Sequence, residues 1–244
     1  MMSARPPEVR RLAAIVPAAG RGNRMGSALA KQYLLLAGQT MLEHSVNALL
    51  RCPIIERVVV ALAADDQHFQ QLALACEPRI SSVVGGSERA DSVLAALDAL
   101  AAEGFQWVLV HDAARPCVPL ADIERLIDHC LNSGQGGLLA APVRDTMKRG
   151  DASGLVLDTV PREQLWHALT PQMFPTGTLK RALEEGLALG ALITDEASAM
   201  ERAGFTVKMV EGRADNIKVT RPEDLSLAEL FLQQQSARQQ ARPD

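Results

Sequence analysis

The sequence predicts an α/β fold: a mostly parallel sheet flanked by helices, with a protruding β-hairpin arm. Short aliphatic runs alternate along the chain with amphipathic stretches of helical length, the pattern of consecutive βαβ units. Those runs are continuous in Val, Leu, Ile and Ala, as strands covered on both faces read. One stretch, PVRDTMKRGDASGLVLDTVP at 142–161, breaks the rhythm. Its two extended arms flank the turn-rich Gly150-Asp-Ala-Ser-Gly154, which reads as a hairpin leaving the main sheet.

Taken in order, 12–16 reads as the first strand and runs into a glycine-rich loop. Thr40-Met-Leu-Glu43 has the form of a capping box and opens a helix over 41–51. A strand at 57–63, a helix at 66–75 and a strand at 80–84 lead to the turn Gly85-Gly86. Then come a helix at 88–102, a strand at 107–111, a helix at 120–132 and a strand at 137–141. After the arm, helical spacing returns at 178–189. Thr194-Asp-Glu opens a further helix with acids in its first turn. A strand is expected at 205–210 and a short one through Asn216-Ile-Lys-Val-Thr220. Pro222 suits the first turn of a last helix, 222–235, and the polar tail from Gln233 is expected to fray.

Composition bounds the rest. The 244 residues suit one domain over 1–244, long enough to bury a core without staples. With 48% hydrophobic and only 3% aromatic residues, that core is aliphatic. The formal charge of −4 gives no basic face for nucleic acid, so cations at a binding site must be local clusters. Cys52, Cys76, Cys117 and Cys130 show neither CxxC nor metal-ligand spacing and read as free, mostly buried thiols of a cytoplasmic protein. The polar opening MMSARPPEVRR lacks the apolar core of a signal peptide. No run reaches the roughly 18 apolar residues of a membrane span, so no membrane partner is expected.

The loop AAIVPAAGRGNRMG, 13–26, carries the chemistry. It fails the pattern GxxxxGK[ST], and it narrowly fails GxGxxG because its third glycine comes at 26. Read literally, small Ala18, Ala19 and Gly20 after a strand let backbone N–H groups approach a triphosphate. Arg24 and Lys31 then add a guanidinium fork and an ammonium point charge where phosphoryl-type transfer develops negative charge. The competing reading is a solvated loop with ordinary surface charges, to which Arg21 fits better than Arg24.

From this loop onward the residues resemble a known family. Pro17-Ala-Ala-Gly-Arg-Gly-Asn-Arg-Met25 with Lys31-Gln-Tyr33, Gly85-Gly-Ser-Glu-Arg-Ala-Asp-Ser92 and Val110-His-Asp-Ala-Ala-Arg-Pro116 are similar to the 2-C-methyl-D-erythritol 4-phosphate cytidylyltransferases of the non-mevalonate isoprenoid pathway. So are Asp145-Thr-Met-Lys-Arg149, Leu169-Thr-Pro-Gln172, Ile193-Thr-Asp-Glu-Ala-Ser198 and Glu211-Gly-Arg-Ala-Asp-Asn-Ile-Lys-Val-Thr-Arg-Pro-Glu-Asp224. The resemblance implies a Rossmann-like sheet and a reaction in which methylerythritol phosphate attacks the α-phosphorus of CTP in line, releasing pyrophosphate. Such chemistry needs positioning and charge rather than a nucleophilic side chain. By the same resemblance, Arg24 and Lys31 stabilise the transition state, and Ala18, Ala19 and Gly20 contact CTP through backbone. Gly85, Gly86, Arg89 and Ser92 line its cytosine and ribose. Asp112, with Ala113 and Arg115 beside it, lies between the two substrates. Lys218 holds the methylerythritol phosphate, and Thr146 and Arg162 reach that phosphate from the partner of a homodimer. Magnesium is implied, carried mainly by the CTP phosphates.

Three positions depart from the family pattern: Ala30 where a proline usually precedes the lysine, Ser87 where an acid often follows the glycines, and Asn23 where a second basic residue is common. His111 is assigned no role. Alternatives from the residues are a cytidylyltransferase for another polyol phosphate such as ribitol 5-phosphate, an NAD-dependent oxidoreductase, and a non-catalytic nucleotide-binding module.

Overall fold

The computed structural model describes residues 10–20 and 29–240. Strand β1 (Leu12–Ala18) lies inside the main sheet, between β4 (Ile55–Leu62) and β6 (Trp107–Val110), and is parallel to both. Outside β4 lies β5 (Ile80–Val84), also parallel. On the far side of β6 come β10 (Trp166–Pro175), β7 (Gly137–Pro142) and β11 (Lys208–Glu211), giving the order β11-β7-β10-β6-β1-β4-β5. Only β10 runs antiparallel to its neighbours, so the sheet is mostly parallel as the alternation predicts. The β2–β3 ribbon (Leu35–Leu36 and Gln39–Thr40) stands apart from it.

Successive residues of β1 feed opposite layers, as the pleat requires. Leu12, Ala14 and Val16 pack with Leu42, Val46 and Leu49 of α1 (Met41–Leu50) and with Ile123 and Leu126 of α3 (Leu120–Ser133). Ala13 and Ile15 face Val93 and Leu97 of α2 (Arg89–Leu100), Leu179 and Leu183 of α4 (Thr176–Ala188) and Met200 of α5 (Glu196–Arg202). A smaller cluster joins α6 (Glu223–Gln240) to the loop after β6: Ala228 packs with Ala114, Cys117 and Val219. That cluster seats the segment bearing Lys218. Thr40 caps α1 in the expected box, its hydroxyl accepting Glu43 N–H while the Glu43 carboxylate accepts Thr40 N–H.

The arm is a separate two-stranded sheet, β8 (Met147–Gly150) and β9 (Val156–Val160), paired only with itself. Asp151 organises its turn by accepting the Ser153 and Leu155 N–H groups, and Gly154 supplies a φ of +87°. Leu155, Val156 and Leu157 are exposed.

Four expectations need correction. The helix expected at 66–75 is two 3-10 turns, Phe69–Gln71 and Ala73–Cys76, separated by an extended Leu72. Asp66 takes the His68 and Phe69 N–H groups and the Tyr33 hydroxyl, a local side-chain arrangement that competes with helix. The strand expected from Phe205 begins only at Lys208, since the Phe205 N–H still caps α5 on Met200 O, with Gly204 at a φ of +83°. The tail does not fray at Gln233: α6 continues to Gln240, held where the Gln235 side chain donates to Cys117 O at 2.7 Å. Residues 216–220 form no strand; their Val219 N–H bonds to a loop, at Ala114 O, rather than to a sheet neighbour. The four cysteines are free; Cys52, Cys117 and Cys130 are buried and Cys76 is exposed.

Candidate active site

The parallel strands β1, β5 and β6 all end at one edge of the sheet, where open α/β sheets bind ligands. There a cavity of about 200 Å³ opens between their loops. Pro17, Ala18, Ala19 and Gly20 form one wall, and Lys31 and Gln32 adjoin it. The Gln32 side chain donates to Ala18 O at 2.7 Å and so ties the turn that carries Lys31 to the end of β1. Arg24 lies outside the described residues, as do Arg21 and Asn23.

The second wall is the turn into α2. Gly86, Ser87, Glu88, Arg89 and Ser92 line the cavity; Gly85 sits behind them. A Cβ on Gly85 would lie 2.7 Å from Ser92 Oγ and 2.9 Å from Ala19 Cβ, and one on Gly86 2.2 Å from Asp91 Cβ. Both glycines are therefore required by close approach of backbone to backbone-fixed atoms. The Ser92 hydroxyl accepts Gly86 N–H and donates to Glu88 O, fixing the turn. Ser87, standing where the family often has an acid, donates its hydroxyl to Asp91.

A buried charge cluster forms the floor. Asp112 follows β6. Its Oδ1 accepts Arg89 Nε at 2.9 Å and its Oδ2 lies 2.8 Å from Lys218 Nζ. The Arg89 guanidinium turns its other edge to Glu196, bonding both carboxylate oxygens at 2.6 and 3.0 Å. Glu196 is almost wholly buried, and its helix α5 is capped by Asp195 and by the Gln172 side chain, which accepts Ala197 N–H. Burial alone would raise the Asp112 pKa, but Arg89 and Lys218 outweigh it and hold the carboxyl well below the ordinary range. Burial would lower the Arg89 pKa, and Glu196 and Asp112 instead raise it. Both groups stay charged across the physiological range. Lys218 thus meets the anion that a lysine among apolar neighbours demands, and that anion is Asp112.

His111 is a packed histidine. Burial pushes it down to about 4, and both ring nitrogens are engaged, Nε2 with Arg115 O and Nδ1 with Thr170 Oγ1. Arg115 is buried and does not line the cavity. Its guanidinium donates to Asn216 O and Ala168 O, and its Nε stands 3.9 Å from Asp112 Oδ2. Ala113 lines the cavity. Thr146 and Arg162 lie on the arm side of the molecule, both exposed and outside the cavity, with the Arg162 guanidinium on Arg144 O. Sequence reading gave no role to Gln32, Glu88, Glu196, Thr170 or Asn216. For Glu196 a signal existed: an acid in the first turn of a helix that opens on Thr194-Asp195.

The IspD family model, 2-C-methyl-D-erythritol 4-phosphate cytidylyltransferase, matches residues 12–234. A 2-C-methyl-D-erythritol 4-phosphate cytidylyltransferase of Aeromonas hydrophila is 66% identical over 233 residues, covering 96% of this chain and 94% of that one. One of Vibrio parahaemolyticus is 56% identical over 220 residues, covering 90% and 94%. The crystal structure of the Francisella tularensis enzyme of that name superposes with a TM-score of 0.77 at 32% identity, covering 91% of this chain and 99% of the other. The chain is a nucleotidyltransferase that belongs to the 2-C-methyl-D-erythritol 4-phosphate cytidylyltransferase family.

Proposed function

We propose that the protein transfers the cytidylyl group of CTP to 2-C-methyl-D-erythritol 4-phosphate by in-line attack, using the cavity at the strand ends. The observation that carries this reading is the convergence there of a small-residue backbone loop, Lys31, the glycine turn before Arg89, and the Asp112–Lys218 pair. The Ala18–Gly20 backbone and Lys31, with Arg24, receive the triphosphate and the charge that grows as pyrophosphate departs. Gly86, Arg89 and Ser92, with Gly85 behind, take the cytosine and ribose. Asp112 orients what lies between the substrates. Lys218, more exposed than the carboxylate it pairs with, turns to the acceptor phosphate.

CTP would carry magnesium with it. Among the described residues no three carboxylate, histidine or cysteine groups gather as a cage, and both oxygens of Asp112 already face cations. This donor set suits a hard cation held by phosphate oxygens and water rather than by the protein. Once bound, the ion neutralises triphosphate charge.

The reading is tested by pyrophosphate release with CTP, UTP, GTP and ATP crossed against methylerythritol 4-phosphate and ribitol 5-phosphate. Turnover is expected for CTP with methylerythritol phosphate, and faster turnover of ribitol phosphate would overturn the acceptor. Among the described residues no helix is long and apolar enough to cross a membrane; the cysteine pattern supports a reducing, cytoplasmic setting.

The exposed apolar arm supports a C2 homodimer in which Thr146 and Arg162 of one subunit complete the partner's site. This has a quantitative consequence. Arg162→Ala and Lys218→Ala should each be nearly inactive alone. Mixed and re-equilibrated in equal amounts, they should recover about a quarter of wild-type activity, because half the dimers then hold one intact site. No recovery would place Arg162 in its own subunit's site.

A further inference from the structure

We propose that Tyr33 and Asp66 are positioning residues for Lys31: their hydrogen bond latches the turn that carries the lysine, and so acts on the charge that builds as pyrophosphate leaves. The inference rests on the functional reading above. Neither side chain lines the cavity. Tyr33, the one tyrosine of the chain, is only 4% exposed, and its hydroxyl donates to Asp66 Oδ2 at 2.6 Å.

Lys31 stands on a turn too short to hold its own shape. Lys31–Tyr33 is a single 3-10 turn without a side-chain cap. Its local backbone bonds are Tyr33 N–H to Ala30 O at 2.9 Å and Leu34 N–H to Lys31 O at 3.1 Å, a weaker geometry than that of an α-helix. Ala30, standing where the family usually has proline, adds no ring to fix the backbone before the lysine. The turn is fixed from outside instead, at the two residues after Lys31. Gln32 donates to Ala18 O at the end of β1. Tyr33 reaches the other way, to the loop after β4, the parallel neighbour in which Leu62 stands opposite Ala18. Asp66 is itself held there. Its N–H donates to Ala63 O, and its Oδ1 accepts the His68 and Phe69 N–H groups at 3.0 and 2.9 Å, which leaves Oδ2 for the tyrosine. The Tyr33 ring lies 5.1 Å from that of His68 and shares an apolar layer with Val16, Leu62 and Phe69. Burial and the facing carboxylate push the phenol above its ordinary pKa, so it keeps the proton that makes the bond. Held at both anchors, the turn presents Lys31 beside the wall of Ala18, Ala19 and Gly20. Without the outer anchor it can pivot on Gln32, and displacements of about 1 Å at such a site cost on the order of 100-fold in rate.

The test uses three substitutions. Tyr33→Phe removes the hydroxyl and keeps the ring. Asp66→Ser keeps an acceptor for the His68 and Phe69 N–H groups but is too short to reach Tyr33. Asp66→Asn keeps both links, its carbonyl holding the N–H groups and its amide donating to the phenol oxygen. Each is assayed by pyrophosphate release with CTP, magnesium and methylerythritol phosphate, alone and combined with Lys31→Ala, well below its melting temperature. Alone, Tyr33→Phe and Asp66→Ser are expected to lower kcat about 10-fold, with the KM for each substrate within about twofold of wild type. Asp66→Asn should stay within about threefold throughout. On top of Lys31→Ala, the latch-breaking changes should cost less than about a further twofold, because no ammonium is left to misplace. A purely structural tyrosine would lower the melting temperature and cost the same factor in both backgrounds. Should one latch-breaking variant not accumulate as folded protein, the other carries the comparison. An unchanged kcat in these variants, equal damage in Asp66→Asn, or the full loss repeated on top of Lys31→Ala overturns the inference and leaves the functional reading standing. A wild-type enzyme that does not turn over CTP with this acceptor overturns both.

Discussion

Lys31→Ala is expected to lower kcat for cytidylyl transfer by about two to three powers of ten while the protein stays folded. The lysine lines the cavity, but the short turn bearing it is anchored by its neighbours: Gln32 donates to Ala18 O, and Tyr33 is buried with its hydroxyl on Asp66 at 2.6 Å. Truncation therefore removes a charge and spares the packing. A cation acting on charge that appears only as pyrophosphate leaves should register in kcat and kcat/KM together, with little change in the KM for CTP. Lys31→Arg, keeping the charge on a wider fork, should recover part of the loss. If steady-state kinetics find Lys31→Ala within about threefold of wild type, a barrier change under 1 kcal/mol, the lysine has no part in the chemistry.

How much of this was legible in the sequence depends on whether a feature is local. Strand β5 was read to its residue limits, and β1, β4, β6 and β7 nearly so, because continuous aliphatic runs bounded by turn residues carry their own signal. The capping box at Thr40 and the Asp151–Gly154 turn of the arm were likewise readable, since each is complete within a few residues. Strand β10 was not: Thr170 and Gln172 interrupt its apolar pattern. Those polar side chains are buried because distant groups need them, Asp112 N–H in one case and the start of α5 in the other. The same holds for Arg89. Its presence near a nucleotide followed from the family motif, but that its guanidinium bridges Asp112 and Glu196, 23 and 107 residues away along the chain, depends on where β6 and α5 meet. Lys218 is the intermediate case. Its cost among apolar neighbours was plain from the sequence, while the identity of its counter-ion needed the fold.

Asp112→Asn should destabilise the protein by about 3–5 kcal/mol and abolish most transfer activity. The cluster around it holds Arg89, Arg115 and Lys218 against Asp112 and Glu196, a balance of 3 − 2 = +1. Asparagine makes it 3 − 1 = +2 and aims an amide at a cation, with Arg89 largely removed from water. The dependence on pH separates this charge effect from a packing effect. In wild type, Asp112 titrates below the ordinary carboxylate value of 3.8. Its contribution is thus complete above that pH and is lost as pH falls beneath it. His111, lowered from 6.5 to about 4, acts earlier. Between those values the unfolded chain binds a proton that the native imidazole refuses, so stability declines by up to about 3 kcal/mol as pH falls. Asp112→Asn keeps the histidine and loses the carboxylate. Compared in a His111→Gln background, which removes the imidazole whose own pKa the Asp112 charge raises, urea denaturation from pH 7 to pH 3 should give two curves that run parallel above about 4 and draw together below. Curves parallel over the whole range would mean that the Asp112 charge contributes nothing and that the loss comes from shape alone.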